Sequence, residues 1–264
     1  MGSYEFLTFE EKRKKIDELN KIIYYEKDNI RNIIQRFNMS GKILDIGCGP
    51  GTSTKLLAKN MQTAEIFGVD VDEYFLAYAE KYHSANNVQY VVGNVFDLPF
   101  PDDTFDFCYA RYVFQHIANP LEALLEIKRV TKPKGGIIIH DFDYDLLKTV
   151  PDFPILKKLK KTNARLKAFR GGDAYVGRKL LHYMEQAALQ NIETVMTYTN
   201  TNQDRNFLEL FYNPDYDDCK FIINNKLMSV DEYRQMKKAI NEILNNENSF
   251  FEIGNYCVLG IKGE

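Results

Sequence analysis

The chain has 264 residues, with 34 lysines and arginines against 37 aspartates and glutamates, for a net charge of −3. This length allows one large α/β domain with an elaboration, or two small domains. General nucleic-acid binders are usually basic, so the charge argues against that class. No apolar run approaches the roughly 20 residues that span a bilayer, and no signal-peptide core is present. The four cysteines lie far apart, so we expect a cytoplasmic protein without a disulfide framework or a metal knuckle.

The N-terminal segment has the pattern of one long helix. Thr8 and Glu11 have the spacing of a capping box, in which each side chain accepts a hydrogen bond from the other residue's backbone. Apolar residues then recur at helical spacing from Ile16 to Phe37. The pattern predicts a helix over residues 9–37 that ends before Ser40-Gly41.

Short apolar strands and amphipathic helices alternate from residue 42 onward. The alternation predicts a parallel sheet with helices on both faces. The predicted strands are 42–46, 65–69, 88–92, 104–110 and 136–139, and the predicted helices are 52–60, 73–82 and 120–130.

The pattern changes after Asp143. We expect an insertion over residues 144–175 with a basic amphipathic helix near 153–169, and a mostly helical stretch over 204–245 that ends in a helix capped by Ser229 and Glu232. The remaining predicted elements are a helix at 177–189, a strand at 192–198 and a β-prone segment at 250–261 that could close the sheet edge. The chain therefore divides into an N-terminal helical cap (1–40), a core (41–143) and a helical lid with the last strands of the sheet (144–264).

A glycine turn follows the first strand, in the run from Ile43 to Thr52. Glycines allow a ligand to approach the backbone, and the helix that follows offers unpaired N–H groups. The spacing is G-x-G-x-G, and Thr52 occupies the third glycine position of the dinucleotide fingerprint, which argues against a nicotinamide-dependent oxidoreductase. Asp45 lies inside the strand and needs a partner, either a turn amide or the ammonium of a ligand. Asp70 ends the second strand, where a carboxylate can hold ribose hydroxyls.

Five short motifs then carry a family resemblance over residues 41–143. They are LDIGCGPG, VDVD, GNVFDLPFPDDTFD, YARYVFQHIANP and EIKRVTKPKGG, in that order. The chain resembles the class I S-adenosylmethionine-dependent methyltransferases, in the branch that includes the ubiquinone- and menaquinone-biosynthesis enzymes. The resemblance implies a doubly wound, mostly parallel, Rossmann-like sheet of seven strands, the last antiparallel. It also implies a ligand across the carboxyl ends of the strands.

The resemblance implies a set of residues for S-adenosylmethionine. Asp45, Gly47, Cys48 and Gly49 would surround the methionine part, although a free cysteine such as Cys48 is often simply buried. Asp70 would hold the ribose, and Val71 would lie against the adenine. Asn94 and Val95 would read the adenine edge; Asn94 replaces the acid usual in the family, but its amide oxygen can still accept a hydrogen bond. Arg111 falls where the backbone commonly meets the ligand's amino group.

Two histidines are candidate general bases. His116 follows the fourth strand and His140 ends the fifth, at the sheet edge where ligands bind in open α/β folds. Both could equally be structural, satisfied by backbone or carboxylate groups. His83 and His182 lie on predicted helices and are expected to face solvent.

The acceptor is expected to be a small molecule enclosed by the N-terminal helix and the 144–245 elaboration, and no metal is required. Large aromatic residues in these segments could line the pocket: Tyr24, Tyr25, Phe169, Tyr175, Phe207, Phe211 and Tyr212. The basic stretch 157–170 could hold a phosphate, a carboxylate or RNA, but a solvated basic face is favoured. The alternatives are an RNA methyltransferase and a non-catalytic adenosylmethionine-binding protein. Oligomeric state stays open.

Overall fold

The computed structural model describes residues 7–201 and 222–264. Within these ranges, no helix is both long enough and apolar enough to cross a bilayer. The helices are α1 (Phe9–Arg36), α2 (Thr52–Asn60), α3 (Glu73–Tyr82), α4 (Pro120–Val130), α5 (Pro154–Phe169), α6 (Leu180–Gln186) and α7 (Val230–Asn245). The strands are β1 (Lys42–Ile46), β2 (Glu65–Asp70), β3 (Val88–Val92), β4 (Phe105–Arg111), β5 (Thr131–Phe142), β6 (Lys148–Val150), β7 (Gln190–Asn200) and β8 (Phe250–Ile261).

One mixed sheet organises the described residues. Its order is β3-β2-β1-β4-β5-β8-β6, with β7 paired to β8. Strands β1 to β5 pair in parallel, and β8 runs antiparallel to β5, β6 and β7. The chain winds outward from β1 in both directions, and ligands of open α/β sheets bind at this switch point. The predicted Rossmann-like α/β fold is confirmed, with eight strands instead of seven because of the short β6.

Most predicted element bounds agree with the structure to within a residue or two, and the differences lie mainly beyond the core. Strand β5 begins at Thr131 instead of residue 136. The predicted helix 177–189 is a 3₁₀ turn at Gly177–Lys179 followed by α6, which ends at Gln186. The edge position expected for residues 250–261 is wrong, since β8 lies inside the sheet between β5 and β7. Its residues are buried on both faces, which an interior strand requires. The part of the predicted helical stretch at 204–221 lies outside the described residues.

Helices cover both faces of the sheet and build two apolar cores. On one face, α4 and α6 contribute Leu124, Ile127 and Met184. On the other face, the C-terminal half of α1 packs with α2 through Ile30, Ile33 and Leu57. A third cluster lies beneath α5 and α7 and includes Leu159, Met236, Ile240 and Phe251. The inserted helices therefore form a packed layer of their own.

The N-terminal half of α1 extends along the carboxyl edge of the sheet. The predicted capping box is confirmed, since Thr8 and Glu11 each accept a hydrogen bond from the other's backbone. Lys12 forms a 2.6 Å ion pair with Asp72 at the start of α3, and Asn20 donates to the hydroxyl of Tyr78 at 3.4 Å. These contacts place α1 directly over the loops that follow β1 and β2.

Candidate functional site

The turn between β1 and α2 depends on three glycines in the left-handed region. Gly47, Gly49 and Gly51 have φ values of +63°, +53° and +77°. A Cβ on Gly47 would lie 2.5 Å from Val113, and one on Gly51 would lie 2.5 Å from the hydroxyl of Tyr90. A Cβ on Gly49 would have only Leu19 within 4 Å, at 3.9 Å. Gly47 and Gly51 are therefore required by close packing, whereas the buried Gly49 backbone has room on its Cβ side that a ligand could occupy.

Asp45 is buried beneath this turn. Its carboxylate accepts hydrogen bonds from Ser53 Oγ at 3.0 Å and Thr54 Oγ1 at 2.6 Å, both in the first turn of α2. Burial raises the pKa of Asp45 to about 6, although the two hydroxyls act in the opposite direction. The partners differ from the expected turn amide or ligand ammonium, because β1 carries the carboxylate directly under the start of α2. Asp45 thus joins the strand to the helix whose N-terminus faces the site.

Asp70 links the glycine turn to the next βα loop. Its two oxygens accept the N–H of Gly49 at 2.8 Å and the N–H of Asp72 at 2.9 Å. Burial raises its pKa, against the lowering effect of these backbone donors. A carboxylate has about four acceptor positions, so Asp70 retains capacity for further donors such as ribose hydroxyls. Cys48, between the glycines, is buried and donates its N–H to the carbonyl of Val69 at 3.1 Å.

The loops after β2 and β3 lie side by side. Gly93 donates its N–H to the carbonyl of Asp70 at 3.0 Å, which brings Asn94 beside Val71. Val71 is 37% exposed and Val95 is half-buried against the core. The side-chain oxygen of Asn94 accepts the N–H of Phe96 at 3.1 Å, so this amide already has a partner within its own loop.

A buried ion pair joins α1 to the end of β4. The Arg111 guanidinium pairs with Glu26, whose side chain is fully buried, and the Tyr112 hydroxyl donates to the same carboxylate. Tyr112 has a positive φ of 59° and stacks on Phe142 with 3.9 Å between ring centroids. Within the described residues, Nε of Arg111 and Oδ1 of Asn255 are buried without a hydrogen-bond partner. The Arg111 side chain therefore serves to hold α1 over the sheet.

His140 is fully buried and engaged through both ring nitrogens. Nδ1 lies 3.3 Å from the Tyr109 hydroxyl, and Nε2 lies 3.1 Å from Oγ1 of Thr197 on β7. Burial and the nearby Arg111 lower its pKa well below the usual value. A neutral imidazole with both nitrogens occupied joins three strands of the sheet. Proton transfer at this residue would require one of these hydrogen bonds to break.

His116 lies closer to the inserted helices than His140 does. It ends a 3₁₀ turn, Phe114–His116, that is held by Asp141, whose carboxylate accepts the N–H of Gln115 at 3.0 Å. Burial lowers the pKa of His116 well below its usual value, and three cations in its surroundings act in the same direction. Burial raises the pKa of Asp141 to about 7.

Of the other two histidines, His182 lies on α6 and is exposed, as predicted. The prediction for His83 is wrong on both points. It follows the last residue of α3 as the C-cap, and it is half-buried with Nδ1 2.6 Å from the carbonyl of Pro50.

The inserted segment docks onto the loops after β4 and β5. Lys167 of α5 donates to the side-chain oxygen of Gln115, and Asp173 donates its N–H to the Gln115 carbonyl at 3.0 Å. Arg178 forms a 2.6 Å contact with Asp143 immediately after β5. Burial lowers the pKa of Lys167 to about 8. Residues far apart in the chain thus meet beside His116.

The basic face of α5 is partly neutralised by the chain itself. Lys157 pairs with Asp152, Lys158 with Glu232 of α7, and Lys160 with Asp145 at 3.0 Å. These pairs direct three of the seven lysines and arginines of residues 157–170 toward neighbouring acids. The basic face of this helix is therefore not only solvated, because two of these ion pairs connect α5 to other elements.

The aromatic residues expected around the acceptor differ in their exposure to solvent. Tyr24 is 61% exposed and Phe169 is 77% exposed, so neither lines an enclosed space in this arrangement. Tyr25 packs against the apolar cluster beneath α5 and α7. Phe207, Phe211 and Tyr212 lie outside the described residues.

The sequence-predicted donor residues are brought together, whereas several contacts around them were missed. Glu26 and Tyr112 were not identified, and Lys167 was included only as one member of the basic stretch 157–170. Glu26 had a detectable signal, since it is an acid inside an otherwise apolar helical stripe between Ile23 and Ile30. Lys167 had no such signal within a uniformly basic helix. Among residues 7–201 and 222–264, no group of three or more metal-ligating acids, histidines or cysteines is present.

Comparison with known proteins agrees with this architecture. A family model described as a methyltransferase domain matches residues 44–139. An uncharacterized methyltransferase of Schizosaccharomyces pombe is 39% identical over 111 residues, which cover 39% of this chain and 40% of that protein. A demethylmenaquinone methyltransferase of Staphylococcus aureus is 32% identical over 158 residues, which cover 58% of this chain and 63% of that protein. The chain thus spans less than two thirds of the length of these curated relatives.

Among solved structures, the fold is similar to a phosphoethanolamine N-methyltransferase of Haemonchus contortus in complex with S-adenosyl-L-methionine. The TM-score is 0.59 at 19% identity, over 90% of this chain and 53% of that one. Together, these findings confirm the resemblance to the class I S-adenosylmethionine-dependent methyltransferases. Residues 44–139 thus match a methyltransferase domain, with the motif residues at the carboxyl ends of the strands.

Proposed function

We propose that this protein transfers a methyl group from S-adenosylmethionine to a small-molecule acceptor without a metal ion. The observation that carries the proposal is the open backbone at Gly49, tied to the Asp70 carboxylate at the switch point of the sheet. A ligand at this place meets glycine backbone on one side and a carboxylate with acceptor capacity on the other. This combination suits an adenosyl amino acid.

The residues present fit such a donor. We assign the ribose hydroxyls to Asp70 and the adenine to Val71, Val95 and Asn94, whose loops lie together. We assign the methionine part to the turn around Gly47, Cys48 and Gly49, with Asp45 beneath it. The backbone at the end of β4, at Arg111, completes the set. The buried unpartnered Nε of Arg111 and Oδ1 of Asn255 supply additional polar atoms on the side of α1.

The donor supplies a methyl group on a sulfonium sulfur. The neutral thioether is a good leaving group, so it needs no assistance from an acid or a metal. The protein has to align the acceptor and exclude water, and positioning of this kind contributes roughly 7–11 kcal/mol in favourable cases. The Glu26–Arg111 pair serves this purpose because it fixes α1 across the sheet edge. The inserted helix α5 closes the other side through Gln115.

For a general base, we favour His116 over His140. The imidazole of His140 is engaged at both nitrogens by Tyr109 and Thr197. The depressed pKa of His116 keeps it unprotonated at neutral pH, which is the form that accepts a proton. A positioned base typically contributes 10²–10⁴-fold.

A small acceptor is favoured over RNA. Three lysines of α5, Lys157, Lys158 and Lys160, are paired with Asp152, Glu232 and Asp145. The proteins that this chain resembles include ones named for a menaquinone precursor and for phosphoethanolamine, both small molecules. The three described cysteines are free and buried, which suits the reducing cytoplasm that we propose as the location.

Calorimetry and a transfer assay test the proposal. We expect S-adenosylmethionine and S-adenosylhomocysteine to bind with clear preference over NAD. Radiolabelled donor should then methylate members of a panel of small amines, phenols and quinols, but not total RNA. Binding of NAD without adenosylmethionine would refute the donor assignment. Tight RNA binding that falls steeply with salt, together with RNA methylation, would refute the acceptor class.

A further inference from the structure

Two buried polar atoms beneath α1 have no hydrogen-bond partner. They are Nε of Arg111, which is a donor, and Oδ1 of Asn255, which is an acceptor, and neither is paired within the described ranges 7–201 and 222–264. Asn255 is fully buried, and the Arg111 side chain is 7% exposed. A buried polar atom without a partner destabilises the folded protein, so a bound group that pairs with both atoms would be stabilised here.

The two side chains surround one carboxylate, that of Glu26. Arg111 and the Tyr112 hydroxyl donate hydrogen bonds to it, and Nδ2 of Asn255 lies 3.5 Å from its Oε1. An ionised carboxylate only accepts hydrogen bonds, so the amide nitrogen of Asn255 faces Glu26 and the amide oxygen faces away. The unpaired atoms thus belong to those sides of Arg111 and Asn255 that Glu26 does not use.

Asn255 interrupts an apolar stripe of β8. Successive residues of a strand point to opposite faces, so Asn255 shares its face with Ile253 and Cys257. Ile253 belongs to the cluster beneath α5 and α7, whereas Cys257 belongs to the cluster that α1 and α2 form. Asn255 also pairs with Phe142, the last residue of β5. It therefore lies at the carboxyl edge of β5, where the core meets the inserted helices.

Arg111 lies at the same edge, close to the turn that we assign to the donor. It is the last residue of β4, and a Cβ on Gly47 would lie 2.5 Å from Val113, two residues further on. Tyr112, between them, is half-buried and stacks on Phe142. The unpaired atoms are therefore associated with the end of β4 that borders the donor turn.

We infer that Arg111 and Asn255 bind a neutral hydroxyl group of the acceptor, which accepts a hydrogen bond from Nε and donates one to Oδ1. A hydroxyl suits this place because it is both a donor and an acceptor. The Glu26–Arg111 pair already balances one negative with one positive charge, so a charged ligand group would add an uncompensated buried charge. This inference rests on the proposed methyltransferase function and narrows its acceptor class.

Titration of the protein saturated with S-adenosylhomocysteine tests the inference. The probes share a cyclohexyl ring: cyclohexanol donates and accepts hydrogen bonds, methoxycyclohexane only accepts them, and cyclohexanecarboxylate is charged. Two-dimensional NMR follows the Nε–H of Arg111 and the side-chain amide of Asn255, which report binding at this place. We expect cyclohexanol to shift both signals saturably and to bind about tenfold more tightly than either other probe, since each of those leaves a buried polar group unpaired or adds a charge.

Asn255→Leu should abolish the preference for cyclohexanol over methoxycyclohexane, whereas a steric effect of the additional methyl group would persist in this variant. The matched control is Asn29→Leu. Asn29 joins α1 to β7 by donating to the carbonyl of Tyr198 at 3.2 Å, and its loss should leave the preference as in the wild type. The Arg111 signal reports binding in both variants, and S-adenosylhomocysteine affinity reports the donor site and the fold.

Two results overturn the inference and leave the proposed function intact, provided that S-adenosylhomocysteine binds normally. The first is the absence of a saturable shift or of a preference for cyclohexanol in the wild type, because a buried water then pairs with the two atoms. The second is an equal loss of preference in Asn29→Leu and Asn255→Leu, which indicates an effect of α1 docking. Failure of the wild type to bind S-adenosylhomocysteine would instead refute the proposed function itself.

Discussion

The proposed donor side and the proposed acceptor side of this site are built in different ways. The proposed donor side lies within residues 44–139, and its main contacts, such as Gly49 to Asp70 and Asp45 to Thr54, join neighbouring βα loops. The proposed acceptor side is assembled from distant segments. Arg111 donates a hydrogen bond to Glu26, and Lys167 donates one to Gln115. The proposed donor side is therefore held together mainly by contacts within the core, whereas the proposed acceptor side depends on how α1 and α5 dock.

The two sides also differ in the partners that satisfy their buried charges. On the donor side, the carboxylates of Asp45 and Asp70 are satisfied by nearby hydroxyls and backbone N–H groups. On the acceptor side, the charges are satisfied by partners on separate elements, so each pair also fixes a helix in place. Breaking a pair of the second kind should cost more stability than breaking a contact of the first kind.

The largest effect is expected for Glu26→Gln. This change leaves the Arg111 guanidinium buried without a counter-charge, and the free energy of unfolding should fall by about 3–5 kcal/mol. Urea denaturation measures it. The matched control is Glu193→Gln, which removes an exposed pair with Arg36 and should cost less than about 1 kcal/mol. Equal costs for the two variants would show that the buried pair does not hold α1.

Asp70→Ala tests the donor side. Loss of the carboxylate should weaken S-adenosylhomocysteine affinity by about 1.5–3 kcal/mol, the range for hydrogen bonds that involve a charged group. Calorimetry is the measurement, with Asp97→Ala, an exposed acid in the loop after β3, as the control. Unchanged affinity in Asp70→Ala would mean that this carboxylate does not contact the donor.

Gly49→Ala separates fold from ligand approach. An alanine in the left-handed region should cost about 1–2 kcal/mol of stability, and its methyl group should also obstruct the donor. Gly171→Ala is the matched control, because it has φ of +81° and a Cβ there would also meet one carbon at 3.9 Å. We expect similar stability losses in thermal unfolding and reduced donor affinity only in Gly49→Ala. Similar donor affinity in both variants would contradict the open-backbone assignment.

The smallest effect concerns His140 and pH. Because burial lowers its pKa in the folded state, the unfolded chain binds more protons below about pH 6.5, and stability falls as the pH decreases. His140→Gln should reduce this slope by up to about 1.4 kcal/mol per pH unit. Asp45 and Asp141, whose pKa values are raised, contribute in the opposite direction, so the difference between variant and wild type is the informative quantity. Identical slopes from pH 5 to 6.5 would show that His140 is not held neutral.

The sequence by itself determined most of the core architecture and its family. Bounds such as Lys42–Ile46, Glu73–Tyr82 and Pro120–Val130 were predicted to the residue, because short apolar runs bounded by glycine, proline and capping residues are local signals. The glycine turn was identified for the same reason, since left-handed backbone requires specific residue types at specific positions. The capping boxes at Thr8 and Ser229 involve residues only three apart.

Only the tertiary structure decided which charged groups meet. The sequence did not indicate that His140 would have both nitrogens occupied, because Tyr109 and Thr197 come from two other strands. It also did not place β8 inside the sheet, since the strands that pair with β8 are selected by contacts between distant segments of the chain. The pairing of Glu26 with Arg111, and of Lys167 with Gln115, depends on the docking of α1 and α5 across more than fifty residues of chain. Such contacts follow from packing of whole elements, which local periodicity does not encode.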